Sequence, residues 1–135
     1  MAYIIVGTAA VIGALLRYWI GLAVGQWQHP DFPLATLMIN LIGSFALAWL
    51  TTFVFKRNLI QSHLAAGLGT GLIGAFTTFS TFSVETVNLI HASRWGAAIL
   101  YVMLSLWGGL AMSYLGFRLG IRIYGKNQSE GGSLK

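Results

Sequence analysis

The chain contains no cysteine, only two prolines and only three acidic residues among its 135. Without cysteine there is no disulfide, no thiol redox centre and no thiolate metal site, and the histidines lack the spacing of a metal-ligand motif. No pairing of a nucleophile with a base and no phosphate-binding loop is visible either. The sequence therefore argues against an enzyme.

Apolar residues dominate what is present: 56% of the chain is hydrophobic, 8% is charged, and the mean hydropathy is +0.74. These values lie far outside the range of soluble globular domains. Because a membrane-spanning helix needs about 20 apolar residues, the chain has room for roughly four spans and little else. We therefore expect an all-α integral membrane protein with one four-helix transmembrane domain over residues 1–126. The expected spans are about 3–24, 33–55, 63–90 and 95–117, followed by a disordered polar tail at 127–135.

The basic residues flank the spans and form no stripe with interleaved aromatic residues, so we interpret the net charge of +5 as membrane anchoring and not as a nucleic-acid surface. If both termini lie on one side, six basic residues lie there and two lie opposite. The six are Lys56, Arg57, Arg118, Arg122, Lys126 and Lys135, and the two are Arg17 and Arg94. The positive-inside rule then predicts that both termini are cytoplasmic.

The third segment is too long for a plain span. A continuous helix over 63–90 would measure about 42 Å, whereas the hydrocarbon core is about 30 Å thick. Its middle, residues 71–83, contains two glycines and five hydroxyl side chains. Polar or irregular backbone is tolerated at this depth only beside protein or a water-filled path. We therefore predict a break near the middle of this helix and a polar path beside it.

Asn40 lies within the second span, where an amide must be paired or must face a polar cavity. Both interpretations, an interhelical bond and a pore lining, stay open. Phe79 and Phe82 share one helical ridge and are either packing surface or ring edges that help to solvate a small anion. In the second case the hydroxyls of Ser80 and Thr81 would add donors without a full charge.

Four further polar side chains lie within spans. Tyr101 and Ser105 share a helix face and either extend a polar track or bond back to their own helix. Arg17 and Glu85 are expected toward the same membrane face, where they form an ion pair or reach the interface separately. A third possibility is that Arg17 attracts anions at a vestibule.

Three pairs of glycines have the spacing that lets membrane helices approach closely: Gly21 and Gly25, Gly67 and Gly71, and Gly116 and Gly120. We expect tight helix packing at some of them.

Three stretches together resemble the Fluc/CrcB family of small bacterial fluoride channels. They are Gly-Ala-Leu-Leu-Arg-Tyr at 13–18, Pro-Leu-Ala-Thr-Leu-Met-Ile-Asn-Leu-Ile-Gly at 33–43, and Gly-Ala-Phe-Thr-Thr-Phe-Ser-Thr-Phe-Ser-Val-Glu at 74–85. The resemblance covers nearly the whole chain. It implies an antiparallel, dual-topology homodimer with two pores in the bacterial inner membrane. Such a channel lets fluoride leave the cell passively, rejects chloride and protects against fluoride toxicity.

The resemblance also implies residue roles. Asn40, Phe79 and Phe82 would line the pore, with hydroxyl donors along it from Ser80, Thr81, Tyr101 and Ser105. The backbone carbonyls of Gly74 and Thr77, from both subunits, would hold a structural sodium ion. Arg17 would lie near the aqueous vestibule.

Two other functions compete with the channel. A proton-coupled small multidrug exporter has a similar size and would need a membrane-embedded carboxylate, for which Glu85 is the available residue. A noncatalytic assembly subunit would use the glycine pairs to pack against a larger complex.

Overall fold

The computed structural model describes residues 2–25, 32–52 and 61–131, and every element in these ranges is helical. The elements are α1 (Ala2–Gly25), α2 (Leu34–Leu50), α3 (Ser62–Ala66), a π-helical segment (Gly67–Ile73), α4 (Gly74–Phe76), α5 (Phe79–His91) and α6 (Trp95–Gly131). Three stretches, Ala2–Gly25, His63–His91 and Trp95–Ile123, are long and apolar enough to cross a membrane, and Leu34–Leu50 is a shorter apolar helix. This agrees with the predicted all-α membrane protein. The predicted end of the second span, at 53–55, lies outside the described residues.

The predicted break in the third segment is present at Thr77 and Thr78. Thr77 has a ψ of 159° and Thr78 has φ and ψ of −148° and 124°, so both are extended between two helices. Thr78 is the N-cap of α5, because its Oγ1 accepts a hydrogen bond from the backbone amide of Thr81 at 3.2 Å. Threonine is a preferred N-cap residue because its oxygen satisfies an amide that has no helical partner.

The π-helical segment Gly67–Ile73 lies just before the break and was not predicted from the sequence. Hydrophobic periodicity carries no clear sign of π geometry, which is rare and usually appears as a single turn near functional sites. The segment packs against α1.

Two of the three glycine pairs mark close helix contacts. A methyl group on Gly71 would lie 2.6 Å from the carbonyl oxygen of Val6 in α1, and one on Gly116 would collide with the carbonyl oxygen of Phe45 in α2. These glycines let the backbones approach closely, as the spacing predicted. The pair Gly21 and Gly25 has no neighbouring group within 4 Å in the described residues, so its predicted contact is not made within the chain.

The helix α6 is longer than the predicted span. It continues to Gly131 and contains 37 residues, whereas the sequence predicted a span ending near 117 and a disordered tail from 127. No proline follows Trp95, so no residue forces the helix to end at the edge of the apolar segment. Residues 132–135 of the predicted tail lie outside the described residues.

Candidate functional site

Asn40 of α2 binds both backbone polar groups of Thr78 at the helix break. Its Nδ2 donates to the carbonyl oxygen of Thr78 at 2.9 Å, and the amide of Thr78 donates to its Oδ1 at 2.9 Å. A broken helix leaves backbone groups without partners, and at membrane depth each unsatisfied group is costly. Asn40 therefore makes the interhelical bond that was one of its two open interpretations.

The bond from Thr78 to Asn40 and the N-cap bond from Thr81 to Thr78 each free one carbonyl group. In an uninterrupted helix the amide of Thr78 would donate to the carbonyl of Gly74, and the amide of Thr81 would donate to the carbonyl of Thr77. Here the first amide donates to Asn40 and the second to the side chain of Thr78. The two carbonyls named as sodium ligands in the sequence analysis are thus released from their helical donors.

An open cavity of about 530 Å³ lies beside the break, between α2, the π-helical segment, α4, α5 and α6. Six of the predicted site residues line it: Asn40, Gly74, Thr77, Phe79, Phe82 and Ser105. Most of its remaining lining is apolar, and no charged side chain of the described residues belongs to it. The cavity therefore combines polar backbone, an amide, several hydroxyl residues and aromatic rings without a charged side chain.

Two hydrogen-bond donors at the cavity are unused. An asparagine amide has two N–H groups, and one of those on Asn40 donates to Thr78 while the other has no partner among the described residues. The hydroxyl of Ser105 is buried and makes no hydrogen bond within the described ranges. A buried donor such as the hydroxyl of Ser105 is normally satisfied, and Asn40 is half-buried beside the cavity, so these two groups offer binding capacity to a small acceptor.

The two phenylalanines at the cavity differ in their surroundings. The ring of Phe82 lies 5.1 Å from the ring of Tyr101 between centroids and packs against the core of α2, α5 and α6. The ring of Phe79 lies 5.8 Å from that of Phe82, and its side chain is 79% exposed. Phe82 therefore serves packing as well as lining, whereas Phe79 is held by few contacts within the chain.

Four predicted site residues lie outside the cavity lining: Ser80, Thr81, Arg17 and Tyr101. The hydroxyls of Ser80 and Thr81 lie 3.2 Å and 3.1 Å from the Oγ1 of Thr78 and form a small hydroxyl cluster at the start of α5. Arg17 is half-buried on α1 and is not among the cavity residues.

A second polar cluster, which we call the carboxylate cluster, consists of Glu85, Thr36 and Tyr101. Thr36 donates to Oε1 of Glu85 and the fully buried Tyr101 donates to Oε2, both at 2.8 Å. These bonds replace the ion pair between Glu85 and Arg17 that was one of the expected alternatives, and no such pair forms in the described part of the chain. An uncharged donor pair satisfies the carboxylate without burying a second charge.

Sequence reasoning missed three contributors to this region. Thr36 gave no signal, because a contact between residues 49 positions apart cannot be read from one sequence. Thr78 was counted among the hydroxyls but not recognised as the N-cap, although threonine before a polar helix start is the usual sign. Gly43 lies three residues after Asn40, and a methyl group there would collide with the side chain of Thr77, so this glycine lets α2 reach the break.

Comparison with known proteins gives a consistent result. Residues 4–117 match the family model described as CrcB-like protein, Camphor Resistance. The chain is 57% identical over 134 residues to the fluoride-specific ion channel FluC 1 of Bacillus thuringiensis subsp. konkukian (strain 97-27), covering 99% of this chain and 98% of that protein. It is 51% identical over 109 residues to FluC 1 of Desulfitobacterium hafniense (strain Y51), covering 81% and 94%. FluC of Oceanobacillus iheyensis is 46% identical over 120 residues, covering 87% and 90%.

Proposed function

This chain belongs to the CrcB-like family, and from that premise we propose that it is a passive fluoride channel that lets the ion leave the cell. Relatives at 57% and 54% identity over nearly the whole chain carry the name of fluoride-specific ion channel. A channel makes and breaks no covalent bond, so the chain is not an enzyme. Its multi-pass membrane location follows from the same relatives and from the apolar helices.

The unused donors beside the Asn40–Thr78 pair are the observation that best supports this function. Fluoride is small and strongly hydrated, so a path across the membrane must replace its water with other donors. The second N–H of Asn40 and the hydroxyl of Ser105 provide such donors. The positive ring edges of Phe79 and Phe82 would add weaker contacts. Because no positively charged side chain of the described residues lines the cavity, the protein stabilises the ion without pairing it to a side-chain charge.

We propose that two copies of the chain complete the pores as an antiparallel homodimer. The cavity is open, and Phe79 at its edge is 79% exposed, so a second copy covering this side would enclose the ring and the path. We propose the opposed orientation of the two subunits and the presence of two pores on the basis of the family resemblance. Its location in the bacterial inner membrane is proposed on the same ground.

The carbonyls of Gly74 and Thr77 fit a structural sodium ion. Both are released from their helical donors, and a hard cation takes oxygen ligands. One chain supplies two such carbonyls, so a second copy would double the ligand set. When bound, the ion would supply a fixed positive charge that favours anions nearby.

Other assigned roles remain proposals. Ser80 and Thr81 would act as hydroxyl donors along the path, and Arg17 would lie at the vestibule. The single O–H of Tyr101 donates to Glu85, so Tyr101 would act as a donor on the path only where that bond opens. None of these four lines the cavity of the single chain, so a second copy must extend the path toward them if they take part.

The proton-coupled exporter is not favoured. Such a carrier needs a carboxylate that meets both proton and substrate in an accessible cavity. Glu85 lies outside the cavity lining, and both of its oxygens accept hydrogen bonds from Thr36 and Tyr101.

A flux measurement on the purified full chain tests the proposal. Liposomes would be loaded with equal concentrations of potassium fluoride and potassium chloride, and valinomycin would let potassium leave so that the charge of the released anion is balanced. Fluoride should then be released rapidly, whereas chloride should be released only as fast as from protein-free liposomes. Release should not require a pH gradient. Equal release of both halides, or fluoride release only with a proton gradient, would contradict a selective passive channel.

A further inference from the structure

The C-terminal part of α6 extends beyond the membrane core. About 20 residues cross the hydrocarbon, so a helix that enters at Trp95 leaves it near residue 115. Counted along the axis from Trp95 at the edge of the hydrocarbon, the far headgroup layer extends from about 30 Å to about 35–38 Å, and the backbones of Arg118 and Arg122 lie at about 35 Å and 41 Å. The 59% exposure of Trp95 suits the opposite interface, where tryptophan is enriched. The backbone of Arg118 therefore lies at the headgroup layer, and that of Arg122 lies a few ångströms outside it, within reach of the phosphates for a long arginine side chain.

The two arginines also share one face of the helix. They are four residues apart, and both are exposed. The guanidinium carbon of Arg118 lies 5.4 Å from the ring centroid of Tyr114, which is one turn closer to the hydrocarbon and is 56% exposed. This contact holds the guanidinium against the ring. The planar donor edge of the guanidinium still suits a phosphate, because arginine binds phosphate with two parallel hydrogen bonds.

We propose that Arg118, Arg122 and Tyr114 form a binding site for the phosphate headgroup of an anionic phospholipid where α6 leaves the membrane core. A second copy of the chain is a poor partner for this basic face, because each copy has only three acidic residues and Glu85 already accepts two hydrogen bonds. Lipid phosphates are present at this depth around the whole protein. This site is independent of fluoride conduction, which takes place at the helix break.

Lipid binding by the purified full chain tests the site. The protein in neutral detergent would be titrated with dioleoyl phosphatidylglycerol, dioleoyl phosphatidylcholine or inorganic phosphate, and bound molecules counted by native mass spectrometry. Each basic residue near an anionic surface contributes about fivefold to affinity, so R118Q/R122Q should weaken phosphatidylglycerol binding about thirtyfold. R118K/R122K keeps both charges but lacks the planar donor edge, so its affinity should lie between that of wild type and that of R118Q/R122Q. Raising the salt concentration should weaken binding by the wild type.

The single-charge control is R94Q, directly before α6 and outside the proposed site, which should weaken phosphatidylglycerol binding less than R122Q does. Unchanged binding by R118Q/R122Q would overturn the proposal, as would an equal loss in R94Q. Wild-type binding of inorganic phosphate or phosphatidylcholine as strong as that of phosphatidylglycerol would overturn it too. If R118Q/R122Q fails to fold, the single variant R122Q should still lose about fivefold relative to R122K. Fluoride flux measured in parallel should be unchanged in every variant that folds. A negative result for lipid binding would therefore not affect the proposal that the protein is a fluoride channel.

Discussion

Two polar clusters hold the broken third segment against its neighbours, and they differ in how completely their hydrogen-bonding groups are used. The carboxylate cluster contains the acidic residue Glu85, and both of its oxygens accept hydrogen bonds, one of them from the fully buried Tyr101. The neutral pair of Asn40 and Thr78 borders an open cavity and leaves an N–H of the amide unused. The proposed ion path therefore follows the unused neutral donors and not the carboxyl group of Glu85.

The largest expected effect comes from Asn40→Asp. The substitution removes both N–H donors, leaves the carbonyl of Thr78 without its partner and places a negative charge beside the path of an anion. We expect fluoride efflux from liposomes to fall by about 100-fold or more, which corresponds to about 3 kcal/mol. The control is Asn88→Asp, the same change at an exposed position of α5. Full activity of the Asn40 variant would show that conduction occurs elsewhere.

Tyr101→Phe tests the other cluster. It removes one hydrogen bond to a carboxylate in a buried site, so we expect a loss of about 1.5–3 kcal/mol in the free energy of unfolding. Thermal unfolding in detergent would measure the loss. Fluoride efflux should stay within about threefold of wild type once the folded fraction is equalised. A large fall in efflux without a change in stability would instead make the hydroxyl of Tyr101 a donor on the path, as the family resemblance implies.

Phe79→Ile examines the aromatic edge of the cavity. Aromatic contacts contribute about 0.5–1.5 kcal/mol beyond burial, so losing the ring should slow fluoride efflux about three- to tenfold. Stability should change little, because Phe79 makes few contacts within the chain and is 79% exposed. Phe117→Ile on α6 provides the control, since its side chain is 42% exposed and lies away from the cavity. Equal rates in both variants would remove the ring from the mechanism.

The contrast between the clusters also explains what the sequence could predict. Composition and length were enough for the helices, and the excess length of 63–90 together with its threonines was enough for the break. Asn40 was recognised because an amide between apolar neighbours in a span is rarely inert. The partners of these groups were not recognised. The bonds from Thr36 to Glu85 and from Asn40 to Thr78 join residues 49 and 38 positions apart, and helical periodicity carries no information about such contacts.

Ser105→Ala is a smaller test of the unused donors. The hydroxyl of Ser105 makes no hydrogen bond in the described residues, so its removal should not lower the free energy of unfolding. Efflux should fall about threefold, because one donor is lost from the cavity. The control is Ser44→Ala, since the Oγ of Ser44 already donates to the carbonyl of Asn40 at 2.8 Å and has its bond satisfied within α2. Unchanged efflux in Ser105→Ala would limit the donor set to Asn40.

Ser93→Gly tests whether fluoride efflux depends on stability alone, because it should change stability without altering either cluster. Ser93 has a φ of 59° and follows α5, where its amide donates to the carbonyl of Ile90 and that of Arg94 donates to Leu89. This is the Schellman pattern, in which glycine is the preferred residue at the left-handed position. Glycine should raise the free energy of unfolding by about 0.5 kcal/mol. It relieves the strain of the left-handed conformation, which stabilises the protein, but it also gives the unfolded chain more freedom, which offsets part of the gain. Fluoride efflux by Ser93→Gly should equal that of wild type. If efflux instead changed together with stability, the lower efflux of the cavity variants would reflect a lower folded fraction. The two clusters could then not be separated into one for conduction and one for stability.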